Sequence, residues 1–305
     1  MRIVYLGTPD FAVLPLKALI DNGYEVVAVV TNKDKPVGRK KILTAPPVKV
    51  LAMENGIPVY QYDRIRIEGV EDMKNLAPDL MITCAFGQIL SQEILDIPRL
   101  GVVNIHASLL PKYRGASPIH FALLNGEKNT GITIMKTDIG VDTGDMISQS
   151  EISIGDEETC GELFERLSVL GAKSIIDALP SIIDGSAKLI KQNEDEATFT
   201  KIIKKEMALI DWDASAKEIF NKIRAFNPAP IAFCYFNGEP FKIYSAKIVE
   251  GNGAAGEILS AENELVIACG EDAISLKKVQ KAGGSAMGVE DFLRGNKFVV
   301  GEKLL

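Results

Sequence analysis

The chain has 305 residues, more than one domain needs, and its 47% hydrophobic and 25% charged composition excludes a disordered or collagen-like protein. A net charge of −7 argues against wholesale coating of nucleic acid but leaves room for a local basic site. Four cysteines without a C-x-x-C pair and only two histidines offer neither a disulfide framework nor a zinc site, so buried thiols, a reducing compartment and no metal are expected.

Ile3–Leu6 is the first expected strand, and Gly7-Thr8-Pro9-Asp10 turns into a helix over Phe11–Ile20. That turn has one glycine where G-x-G-x-x-G needs three, so a dinucleotide fingerprint is absent. Further strands are expected over Tyr24–Val30, Ile57–Tyr60, Asp79–Cys84, Gly101–His106 and Ile132–Thr137, with helical patterns between most of them. The alternation predicts an α/β fold with a Rossmann-like, doubly wound, mostly parallel sheet. Asn22-Gly23, Asn55-Gly56, Asn125-Gly126 and Asp184-Gly185 repeat one helix stop signal suited to left-handed caps. Asp145–Ile154 adds an edge strand, and Glu158–Ile183 is one long helix or two broken ones.

The expected division is a catalytic domain over 1–185, a polar linker over 186–206 and a second domain over 207–305. In the last, a helix over Ser215–Phe226 precedes short alternating strands, with Asn237-Gly238 as a hairpin turn and a closing helix over Ser285–Leu293. Such strands suggest a small OB-like β-barrel, a shape that often binds oligonucleotides. No segment is long enough to span a membrane, and a cytoplasmic protein is expected.

Two stretches carry the chemistry. Between the second strand and the next helix, Lys33, Lys35, Arg39, Lys40, Lys41 and Lys49 stand against Asp34 alone, with Val37, Ile42 and Leu43 among them. Cations for phosphates and apolar groups for an opened base pair suit an RNA end. In Gly101–His106, Asn104 and His106 interrupt a β-branched run two residues apart, so they share a face near the strand's carboxyl end. Asp138, Asp142 and Asp145 follow in a short loop with Gly140 and Gly144, glycines that let the backbone approach closely so that one carboxylate can reach the imidazole. His can take a proton from an amine, Asn can donate to an oxyanion, and Asp can hold the imidazole or position a water. No Ser or Cys sits in a nucleophile elbow, so direct attack of a substrate amine on a bound one-carbon acyl donor is expected.

N-I-H-A-S-L-L-P-K-Y-R-G, followed by T-G-I-T-I-M and D-I-G-V-D-T-G-D-M, resembles the 10-formyltetrahydrofolate-dependent formyltransferase family. The resemblance implies Asn104, His106 and Asp142 as the catalytic trio. It also implies 10-formyltetrahydrofolate as donor, bound by Ser108, Leu109, Leu110 and Pro111 and by the strand end Cys84, Ala85, Phe86, Gly87, Gln88 and Ile89. G-T-P-D-F-A, D-K-P-V-G-R-K-K, P-P-V-K, I-D-W and R-A-F-N-P extend it over nearly the whole chain, toward members that formylate methionyl initiator tRNA. Lys35, Arg39, Lys40 and Lys41 would then engage the acceptor-stem end, and the OB-like domain would bind the tRNA body. His120 and Ala107 depart from the family pattern outside the trio, and His120 is expected to be structural. Trp212 is expected to anchor packing, and the chain to be a monomer. The alternatives are the same folate chemistry on a sugar nucleotide or glycinamide, or formyl-folate hydrolysis, against which the basic loop and barrel weigh, and a non-enzymatic RNA-binding protein on the same scaffold, against which the intact Asn104, His106 and Asp142 weigh.

Overall fold

A computed structural model describes residues 1–38 and 40–305. The apolar runs become a seven-stranded sheet: β1 Arg2–Gly7, β2 Glu25–Thr31, β3 Val59–Gln61, β4 Leu80–Cys84, β5 Val102–His106, β6 Asn129–Lys136 and β7 Met146–Ser153. Their order is β7-β6-β5-β4-β1-β2-β3. All five residues of β4 are buried, which is why L-M-I-T-C carries no polar alternation. Strands β5 through β3 are parallel, and the order reverses direction between β1 and β4. Ligands of such sheets settle in the crevice at this switch, beyond the carboxyl ends of the strands. Residues after Gly7 and Cys84 line that crevice.

Strand β6 departs from the expected parallel succession. It runs antiparallel to β5, with His106 opposite Thr133 and Val103 opposite Lys136. The segment that connects the two strands, Ile119–Lys128, is grouped with the second compact unit of the chain. Strand β7 pairs antiparallel with β6 and forms the sheet edge. Helices α1 (Val13–Asp21), α2 (Pro47–Glu54) and the single 25-residue α3 (Cys160–Asp184) follow the predicted pattern. The glycines of all four stop signals sit at φ between 67° and 77°.

The first unit comprises Met1–Pro118, Asn129–Ser153 and Phe164–Lys201; the second comprises Ile119–Lys128, Ile154–Leu163 and Ile202–Leu305. The segment expected as a linker is therefore part of the first unit through Lys201. Within it, Phe199–Thr200 pairs in parallel with Arg114–Gly115, and Ile190 bridges Met146.

In the second unit, α4 (Ala216–Ala225) is closed at its start by a reciprocal capping box between Ser215 and Glu218. It packs on an antiparallel half-barrel of β8 Ala232–Phe236, β9 Glu239–Val249, β10 Ile258–Ser260, β11 Leu265–Ala268 and β12 Ala273–Lys281, in the order β8-β9-β12-β11-β10. Asn237 and Gly238 both have positive φ, as the two-residue hairpin between β8 and β9 demands. The chain's last residues fill the gap between the outer strands: Leu305 exchanges backbone hydrogen bonds with Tyr235, while Gly301, Glu302 and Leu304 bond to Gly256 and Ile258. Trp212, 6% exposed, joins Ile219, Ile223 and Phe241 in the barrel core. The final helix, α5 (Val289–Gly295), starts four residues later than its sequence pattern suggests.

Candidate active site

Asn104 and His106 occupy one face of β5, and Asp142 faces both. The loop that brings Asp142 leaves β6 beside Val102, the amino-terminal half of β5, and folds back over the strand rather than rising from the carboxyl rim. Asp138 ties the loop together by accepting from Gly140 N–H at 3.0 Å and the Thr143 hydroxyl at 2.6 Å. Gly144 is required, because a Cβ there would collide with the Lys136 carbonyl oxygen. Asp142 itself is held at φ 54°, a left-handed conformation a non-glycine residue adopts only under constraint.

The carboxylate of Asp142 stands among three neighbours. Oδ2 accepts from Gly115 N–H at 2.8 Å and stands 3.5 Å from His106 Nδ1. Oδ1 accepts from Asn104 Nδ2 at 3.3 Å. An ionised carboxylate only accepts, which fixes the Asn104 amide with its nitrogen toward Asp142, and the Thr83 hydroxyl then donates to Asn104 Oδ1 at 2.9 Å. His106 is buried, and its Nε2 lies 3.0 Å from the Tyr113 carbonyl oxygen. A carbonyl can only accept, so Nε2 carries a hydrogen and Nδ1 is the basic nitrogen of the neutral ring. One N–H of Asn104 and the Nδ1 lone pair thus flank the same carboxylate.

Residues 190–200 brace this arrangement, and nothing in the sequence reading anticipated it. Tyr113 N–H donates to Thr198 Oγ1 at 2.8 Å, Arg114 N–H to the Thr198 carbonyl at 2.9 Å, and Thr200 Oγ1 to the Arg114 carbonyl at 3.0 Å. Arg114 is 1% exposed, forks onto Glu194 at 2.8 Å and 2.8 Å, and packs over the Phe199 ring. Beside it, Gln192 donates to the carbonyls of Asp142 and Gly144, both at 2.8 Å.

The residues expected to hold a folate divide by exposure. Cys84 and Phe86 are core side chains, Ser108 is buried with its hydroxyl on the Lys112 carbonyl, and Leu110 is buried. Gln88 spends its amide on Ile65 N–H, Asn32 Oδ1 and the Tyr62 carbonyl. Ala85, Gly87 and Ile89 are exposed at the switch crevice, and Leu109 and Pro111 are half-buried. In the basic loop, Lys35–Val37 and Ile42–Thr44 form a small antiparallel hairpin. Lys33 pairs with Asp63 and Lys49 with Asp34, whereas Lys35, Lys40 and Lys41 are exposed beside the exposed Val37, Ile42 and Leu43. Arg39 lies outside the described residues.

All four cysteines are buried, and burial pushes their thiols up to about 12, so none is a thiolate nucleophile near neutral pH. The half-buried His120 is held below its ordinary value by desolvation and lies beside Phe226. Among the described residues, no cluster of His, Cys, Asp or Glu could hold a metal ion, and no helix is long and apolar enough to cross a membrane.

A doubly wound sheet that brings Asn104, His106 and Asp142 together, followed by an antiparallel half-barrel, suits group transfer, and comparison with known proteins specifies the group. Residues 1–179 match the formyl transferase family model, and residues 202–297 match that of the formyl transferase C-terminal domain. The chain belongs to the formyl transferase family. It is similar to the methionyl-tRNA formyltransferase of Bacillus subtilis (strain 168), 46% identical over 308 residues that cover 99% of this chain and 97% of that protein. The methionyl-tRNA formyltransferase of Ruminiclostridium cellulolyticum is 44% identical, covering 100% and 99%. Among solved structures, an N-formyltransferase from Helicobacter canadensis, in complex with folinic acid and dTDP-3-aminofucose, shares the fold with a TM-score of 0.71. It is 21% identical and covers 92% of this chain and 99% of that one.

Proposed function

We propose that this formyltransferase moves the formyl group of 10-formyltetrahydrofolate onto the α-amino group of methionyl initiator tRNA, in the cytoplasm and as a monomer. The observation that carries the chemistry is the shared carboxylate, with His106 Nδ1 at 3.5 Å and Asn104 Nδ2 at 3.3 Å from Asp142. The unprotonated amine attacks the formyl carbon and forms the new C–N bond. His106 Nδ1 accepts the amine proton and becomes an imidazolium beside Asp142, while the Asn104 amide donates to the oxyanion. Collapse breaks the bond to the folate nitrogen, which receives the proton as tetrahydrofolate leaves.

The identity of the acceptor is supported by full-length relatives named for methionyl-tRNA. An exposed hairpin carrying Lys35, Lys40 and Lys41 among apolar side chains also favours it, since a small acceptor needs no such surface. Arg39 is proposed to act with them. A folate donor is supported by the position of Ala85–Ile89 at the switch crevice and of Ser108–Pro111 directly after His106. The side chains exposed there mean that backbone and apolar contacts would hold the donor. Purified protein given 10-formyltetrahydrofolate should formylate methionylated initiator tRNA in preference to elongator tRNA. No product with the initiator rejects the proposal, and formylation of a nucleotide-linked amino sugar instead would favour the small-acceptor alternative.

A further inference from the structure

The carboxylate at the centre of the site sits on a residue whose backbone is itself held from a distance. Gln192 is 9% exposed and uses every strong hydrogen-bonding group it has: two N–H donations to the carbonyls of Asp142 and Gly144, each at 2.8 Å, and acceptance from Arg114 Nε at 3.0 Å. Reversing the amide would face its oxygen to two carbonyls and its NH2 to a guanidinium, so only one orientation is allowed. The two carbonyls bracket Thr143, so the hold begins at the peptide that leaves the left-handed residue Asp142 and spans the residue after it.

Arg114 locks the other end of the same network. Its guanidinium orients Gln192 and is itself anchored by Glu194. Its two chain neighbours supply the groups that touch the trio: the Tyr113 carbonyl meets His106 Nε2, and Gly115 N–H meets Asp142 Oδ2. Side chain and backbone around Arg114 therefore fix the imidazole, the carboxylate and the loop carrying the carboxylate together.

We propose that Gln192 is a positioning residue for the reaction, holding the Asp142 loop in its strained turn so that one carboxylate faces His106 and Asn104 together, with Arg114 and Glu194 as its lock. This rests on the reading of Asp142 proposed above. Without the two amide donations the turn at Asp142 is free to relax, and the carboxylate leaves its place between imidazole and amide.

Gln192→Glu separates this role from a packing or ion-pairing one. The variant keeps the shape and improves the pairing with Arg114, but it presents a carboxylate to the two loop carbonyls. A residue that only packs or pairs would tolerate it. The positioning role predicts a fall in kcat of about 10-fold to 100-fold. KM for donor and acceptor should stay within about threefold, and the loss of kcat should persist at temperatures where the variant is fully folded, two lost buried hydrogen bonds lowering Tm by up to about 10 °C. Gln192→Met, which has no donors, should lose as much kcat and carries the test if the Glu variant does not fold. The exposed neighbour variant Lys191→Ala should match the wild type. Variants within about twofold of the wild-type kcat overturn the proposal, as does a loss that merely tracks a fall in Tm of more than about 10 °C. A wild-type protein that fails to formylate the initiator strikes the functional reading instead, so the two failures are distinguishable.

Discussion

Replacing Asp142 by Asn should disable two groups at once, and the hydrogen bonds around it show why. The carboxylate accepts from Gly115 N–H at 2.8 Å and from Asn104 Nδ2 at 3.3 Å. An amide in its place has one acceptor oxygen, and the backbone N–H cannot turn away, so the oxygen goes to Gly115 and the NH2 confronts Asn104. The Asn104 amide then does best by flipping. Its nitrogen would face Thr83 Oγ1, which can accept and redirect its own hydrogen to the Val103 carbonyl, already 3.3 Å away. The flip removes the donor aimed at the oxyanion, a loss of about 10²-fold to 10³-fold in kcat. The charge beside His106 Nδ1 is lost as well, and a pair near this separation is worth about 4 kcal/mol at an effective dielectric of about 20. Single-turnover formylation of methionyl initiator tRNA should therefore slow by at least about 10³-fold in Asp142→Asn. Because the Asn104 contribution is already gone, Asn104→Ala added to it should cost less than about a further tenfold, although alone it costs about 10²-fold or more. Multiplicative losses in the double variant would show instead that the Asn104 amide keeps its orientation when the carboxylate is gone.

Three further outcomes are expected. Removing Lys35, Lys40 and Lys41 together should raise KM for tRNA and flatten its salt dependence by nearly one unit of log–log slope per lysine, with KM for the donor unchanged; equal effects on both substrates would make the hairpin a structural element. The Arg114 guanidinium holds the Glu194 carboxyl below its ordinary value. A depressed carboxylate contributes stability above its unfolded value of about 4.3 and loses it as pH falls through the folded value. Thermal unfolding should therefore show wild type above Glu194→Gln at pH 7 and the gap closing below about pH 4; a gap constant with pH would contradict this. With all four thiols buried and pushed up to about 12, a disulfide reagent at pH 8 should react with fewer than one per native chain and with four after denaturation; rapid native reaction would deny their burial.

Local signals in the sequence transfer well to the structure, and non-local ones do not. The Asn-Gly and Asp-Gly stop signals mark helix ends because left-handed φ is a property of single residues. Asn104 and His106 share a face because strand periodicity puts them there. The antiparallel course of β6 leaves no mark in its own residues, since strand direction is set by pairing with a strand distant in sequence. Nor does the role of Gln192, which stands 50 residues from Asp142 and acts on backbone carbonyls that any residue possesses. The Tyr113 carbonyl, which sets the tautomer of His106, leaves no side-chain signature for the same reason. R-G in K-Y-R-G was a usable sign: Gly115 at φ 109° and a buried arginine mark a tight crossing, here against Thr200. Cys84, Phe86 and Ser108 show the converse limit, because a family motif conveys which segments matter but not which of their side chains face outward.

The role proposed for His106, accepting the proton of a methionyl amine as the formyl group is transferred, can be read from single-turnover formylation of methionyl initiator tRNA by the wild type and by His106→Ala, side by side with saturating 10-formyltetrahydrofolate. The wild type should yield formyl-methionyl-tRNA and the variant a rate about 10²-fold to 10⁴-fold lower. Absence of product from the wild type would remove the proposed acceptor, and a variant within about tenfold of the wild type would remove His106 as the base.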